Sequence, residues 1–121
     1  MLFVDDADKA FLSKHGPEIR YHQDYAPKGT NVNFVQKTGE NSIRVRTYER
    51  GVEGETLACG TGVTASAIVS HSVLGVQKPV SVLVEGKDTL TVDFKLDGHM
   101  VTEVFLKGPA DFTFAGEIEV A

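Results

Sequence analysis

Residues 58 to 70 read ACGTGVTASAIVS and hold the only cysteine of this 121-residue chain. A lone cysteine is most often a compact core residue, but the neighbours of Cys59 suit a reactive thiol. Cys59 stands just ahead of a helix-like run, where unpaired backbone N–H groups and the helix dipole favour an anion, and so a thiolate. Gly60 and Gly62 remove side chains beside the sulfur and let a ligand approach the backbone, while Thr61 adds a hydroxyl to the first turn. A helix mouth of this composition can cradle a carboxylate. Upstream, Glu49 and Arg50 end a strand pattern as adjacent opposite charges, and GVEGETLA returns the chain to Cys59. Successive strand side chains point to opposite faces, so only one of the pair reaches a shared pocket unless the strand breaks, as Gly51 would allow. Without the cysteine, the pair reads as a solvated strand end.

Other chemistries have less support. One cysteine forms no internal disulfide, and His15, His22, His71 and His99 stand far apart with no zinc-ligand spacing, so no metal is expected. A net charge of −5, with the basic residues scattered, gives no surface for phosphate backbones. CGTG is not followed by Gly-Lys-Ser/Thr, so a nucleotide phosphate loop is disfavoured. No apolar stretch reaches membrane-spanning length and no signal peptide opens the chain, which makes a soluble protein with a cytoplasmic location the expectation. The length suits one domain, and 41% hydrophobic residues can build one core.

The elements that must position Cys59 follow from periodicity. Leu2 to Val4 is strand-like, and Asp5 or Asp6 can cap a helix from about Ala7 to His15 that Gly16 and Pro17 stop. PEIRYHQDYAPKGT, residues 17–30, reads as a loop ending at Asn31. VNFVQK and SIRVRTYE flank TGEN as an antiparallel hairpin. In its second strand, Ile43, Val45 and Thr47 form a buried face and Arg44, Arg46 and Tyr48 a polar one. From Thr61 to Leu74 apolar and small hydroxyl residues leave no charged face, which predicts a helix surrounded by protein, with Gly75 as its stop. VSVLVEG, TLTVDFKL, MVTEVFLKG and DFTFAGEIEV alternate as further strands. The expected class is α+β: a curved, mostly antiparallel sheet wrapped around one central apolar helix.

YERGVEGETLACGTGVTAS, residues 48 to 66, resembles the signature of the diaminopimelate epimerase family, whose members invert one stereocentre of diaminopimelate without a cofactor, on the way to lysine and peptidoglycan. FVDD, GTNVNF, IRVRTYERG and GPADFTFAGEIEV resemble, in order, pieces of that family's second half. The resemblance implies a two-base mechanism in which one cysteine removes the α-proton, a second delivers a proton to the opposite face, and Cys59 is the second-half member of the pair. Gly60 and Thr61 would supply backbone donors to the substrate α-carboxylate. Asn31 would contact the distal end of the substrate, and Glu49 and Arg50 would bind the distal amino-acid group, with Glu49 also acting on the thiol proton. Such a carboxylate would oppose the helix dipole.

Two departures qualify that resemblance. The family motif most often has one residue fewer between the Glu-Arg pair and the cysteine, so Glu53 or Gly54 is expected to be absorbed in the loop. The family enzyme is also longer, with two similar domains and the substrate between them. This chain has no first-half cysteine and no Gly-Asn-Pro-His before LFVDD. Residues 1–121 are therefore expected to be a single carboxy-terminal domain, inactive alone, whose partner is the missing amino-terminal domain. FAGEIEV is expected to cross to that domain, or else to pair locally, pair with another copy or fray. An exposed domain face would also invite a homo-oligomer. The alternatives are half of a related cysteine-dependent racemase, such as a proline racemase, or a non-catalytic binding domain with an inert Cys59.

Overall fold

The computed structural model describes residues 1–121. In chain order the elements are β1 (Leu2–Phe3), α1 (Leu12–Arg20), β2 (Val32–Lys37), β3 (Ser42–Glu49), β4 (Gly54–Thr56), α2 (Gly60–Leu74), β5 (Val80–Leu83), β6 (Thr89–Asp97) and β7 (Met100–Lys107). Two 3-10 turns, Ala7–Lys9 and Gln23–Tyr25, lie before and after α1. All strands join one mixed sheet in the order β1-β2-β3-β5-β6-β7, with β4 paired to β3. Most pairs are antiparallel; β1 with β2 and β3 with β5 are parallel. An α+β fold is thus present, and no helix is long and apolar enough to cross a membrane.

The hairpin forms with the expected bounds, with Val35 opposite Val45 and Asn33 opposite Thr47. It lies between two helical layers. On one face Val35, Ile43 and Val45 join Val63 and Ala67 of α2 and Val80, Val82, Val92 and Phe94 in the larger core. On the other, Val32, Phe34 and Tyr48 pack with Leu12 of α1. The second layer corrects the reading of Arg44, Arg46 and Tyr48 as a polar outer face. Arg44 is buried and donates to Asp8 (2.9 Å) and to Glu85, while Arg46 pairs with Glu55 (2.6 Å). A buried guanidinium needs such partners to offset desolvation. The Arg44 hydrogen bond holds the Glu85 carboxyl below its ordinary range.

The first helix also differs from expectation. Asp6 caps only the short turn Ala7–Lys9, accepting from the Asp8 N–H at 3.0 Å, and α1 runs through Gly16 and Pro17 to Arg20. Gly16 is a packing residue here: a Cβ on it would lie 2.5 Å from the Tyr48 ring. Contact with the sheet outweighs the local stop signal. Much of the expected 17–30 loop is therefore α1 and the turn Gln23–Tyr25.

Helix α2 ends as expected at Gly75, in the left-handed conformation at φ +64°. Gly62, Val63, Ser66, Ala67 and Ser70 are buried, and the helix packs on β2, β3, β5 and β6. Ala65, Val69 and Val73 remain exposed, so the sheet covers one side only and the expectation of a fully surrounded helix is corrected. Residues 108–121 form no strand. Their alternating Phe112, Phe114, Ile118 and Val120 are exposed and join neither core.

Candidate active site

Cys59 is the N-cap of α2, with extended backbone (φ −132°, ψ 107°), and is half-buried. The first amide of the helix with an acceptor is that of Val63, which donates to the Cys59 carbonyl at 2.8 Å. The N–H groups of Gly60, Thr61 and Gly62 have none, and no side chain caps them. The Thr61 Oγ1 lies 3.5 Å from the sulfur and the Asn31 Nδ2 3.9 Å. Since the Arg50 N–H donates to the Asn31 Oδ1 at 2.8 Å, the amide orientation is set, and Asn31 presents a donor to the sulfur.

Beside this mouth runs an open groove of about 410 Å³, lined by Thr30, Asn31, Asn33, Arg50, Thr61 and Gly62 among others. Of the residues singled out in the sequence, Asn31, Arg50 and Thr61 line it directly, and Cys59 and Gly60 stand at the helix start next to it. Glu49 closes β3, half-buried, on the α2 side of the sheet with Val45 and Thr47. It does not line the groove, and its carboxylate has no hydrogen bond or ion pair within the chain. Arg50 donates to the Lys28 carbonyl (3.4 Å) but meets no carboxylate. The strand breaks after Glu49, and Gly51 takes φ +91°, so the two charges leave the sheet in different directions.

Glu53 is not passively absorbed in the loop. It adopts φ +56°, and its carboxylate accepts from Gly51 N–H (2.8 Å), Arg20 Nε (2.9 Å) and the Tyr21 hydroxyl. The Tyr21 hydrogen bond, then the Gly51 N–H and Arg20, lower its carboxyl from 4.5 to about 2, and the Tyr21 hydroxyl is raised in turn. This network ties the turn carrying Arg50 to the end of α1. Arg20 and Tyr21 carry no signal in the sequence, because they meet Glu53 only through tertiary contact.

Asn33 and Thr47 are likewise unanticipated members. They face each other across the hairpin, both buried, with the Thr47 hydroxyl donating to the Asn33 Oδ1 at 2.8 Å. Their place in the strand register beside Asn31 and Glu49 is the signal that could have found them. A Cβ on Gly62 would overlap the Asn33 amide, so the first turn of α2 rests directly on it.

The family model described as "Diaminopimelate epimerase" matches residues 1–113. Diaminopimelate epimerase of Aquifex aeolicus (strain VF5) is 53% identical over 116 residues, covering 95% of this chain and 40% of that protein. That of Methanocella arvoryzae (strain DSM 22066 / NBRC 105507 / MRE50) is 47% identical over 120 residues, covering 99% and 40%. The chain therefore spans about 40% of the length of these curated relatives. Among solved structures, a phenazine biosynthesis protein of the PhzF family from Bacillus anthracis superposes with TM-score 0.53 at 19% identity, over 88% of this chain and 33% of that one. That likeness concerns the fold alone. The family match over residues 1–113, which spans both helices and all the strands, makes this chain a member of the diaminopimelate epimerase family.

Proposed function

We propose that this chain is the carboxy-terminal half of a cofactor-independent epimerase that interconverts LL- and meso-diaminopimelate, and that it is inactive alone. The observation that carries the reading is Cys59 at the open mouth of α2, with three unaccepted amides and the Asn31 and Thr61 donors around it. Removing a very weakly acidic α-proton requires a base, a stabilised carboxylate and a proton donor on the other face. As thiolate, Cys59 takes the α-proton: the C–H bond breaks, an S–H bond forms, and the electron pair spreads onto the carboxylate held by Gly60 and Thr61. A second thiol, from an amino-terminal domain, delivers a proton to the opposite face. In the reverse direction the two exchange roles.

Glu49 and Arg50 are opposite charges without ionic partners in this chain, which suits the ammonium and carboxylate of a distal amino-acid group. Asn31 reaches the same end, and Glu49 also handles the thiol proton. The exposed 108–121 segment and the open face of α2 support docking of an amino-terminal domain. The test mixes the chain with a separately produced amino-terminal half and follows α-deuterium incorporation into diaminopimelate in deuterated water. Exchange should need both halves and vanish with Cys59→Ala. Absence of exchange in a complex shown to have assembled would overturn the assignment, and exchange of proline instead would reassign the substrate.

A further inference from the structure

Asn33 is 8% exposed and lines the groove, yet the proposed reaction gives it no part. Its Oδ1 is engaged by Thr47, its Nδ2 has no acceptor within the chain, and it lines the groove beside the α2 mouth. With its Oδ1 held and the rest of the side chain buried, the amide leaves its unpaired Nδ2 edge open to the groove, where a ligand can take it. Gly62 brings it close: a Cβ there would overlap the Asn33 Oδ1, so only glycine lets the amide lie against the helix turn whose N–H groups are unaccepted. A hydroxyl can serve either amide atom, and the arrangement with Thr47 donating to Oδ1 leaves a donor, the polarity an anion selects.

We infer that Asn33 is a further ligand-binding residue, whose Nδ2 donates to the same carboxylate that Gly60, Thr61 and Gly62 receive. The inference rests on the proposed function in one respect: a carboxylate must occupy this mouth next to Cys59. Asn33 would then set specificity for an anionic group over its neutral isostere.

The test compares two alkylating agents on the 121-residue chain, iodoacetate and iodoacetamide, which differ by carboxylate against amide. Both attack the same thiolate, forming an S–C bond as iodide leaves, so their rate ratio cancels the thiolate fraction. Relative to glutathione, the chain should favour iodoacetate. Asn33→Leu should reduce that preference roughly tenfold, as expected for one hydrogen bond to a charge. Asn33→Asp, of the same size but anionic, should reverse it, and the Leu variant should keep its iodoacetamide rate within about twofold. Asn33→Ser replaces either variant if it loses its cooperative melt. An unchanged preference in folded variants overturns the role of Asn33 while sparing the carboxylate mouth. No preference in the unmodified chain overturns the mouth itself, and Asn33 with it.

Discussion

Replacing Gly62 by alanine tests the packing beneath the site. At an ordinary helix position the exchange would gain up to about 1 kcal/mol. Here the new Cβ overlaps the Asn33 Oδ1 and lies 3.2 Å from its Cγ, so something must give by several tenths of an ångström. Asn33 cannot retreat freely, because it is buried and bonded to Thr47 at 2.8 Å. Losing that bond costs about 1 kcal/mol and overpacking about 1–3 kcal/mol, so the net expectation is destabilisation by about 1–3 kcal/mol. For a domain of this size that lowers Tm by roughly 4–12 °C. Gly60→Ala is the control: its Cβ meets only the Leu106 Cδ2 at 3.4 Å, so it should be neutral or slightly stabilising. Urea unfolding followed by circular dichroism reads both, since the chain has no tryptophan. In an Asn33→Ala background the overlap is gone and Gly62→Ala should lose its penalty, a coupling that a double-mutant cycle measures directly. A Gly62→Ala protein as stable as the parent, or a penalty unchanged in that background, would refute the account of Gly62 as the seat of the Asn33 amide.

Ser66→Ala should raise stability by about 1 kcal/mol, because its Oγ is buried without a hydrogen-bond partner and alanine is the better helix former; urea midpoints check it. Glu53→Gln should lower Tm at neutral pH. The folded carboxyl titrates at about 2 against 4.5 unfolded, so its stabilising effect is complete above pH 4.5 and fades as pH falls towards 2. Melts across that window should show the two proteins converging at the acid end. Deleting residues 110–121 should shift Tm by no more than about 2 °C, since these exposed residues add nothing to either core.

Local pattern determined much of this protein. Alternation marked the second hairpin strand, since a strand exposes its period-two code whatever lies above it. The glycines around Cys59 and at Gly75 bounded α2, because chain direction and left-handed backbone are local matters. The cysteine at a helix start, and the charges at the end of the preceding strand, were legible for the same reason. Tertiary structure decided the rest. Gly16 and Pro17 stay helical because Tyr48 lies against the glycine, and Arg44 is buried because Asp8 of the Ala7–Lys9 turn and Glu85 close over a face that alternation alone assigns to water. Glu53 meets Arg20 and Tyr21 across more than 30 residues of chain, and Asn33 matters only once α2 rests on it. The α2 face and the 112–120 segment carry the apolar pattern of buried elements, yet burial is a property of two surfaces, and one chain's periodicity specifies only its own.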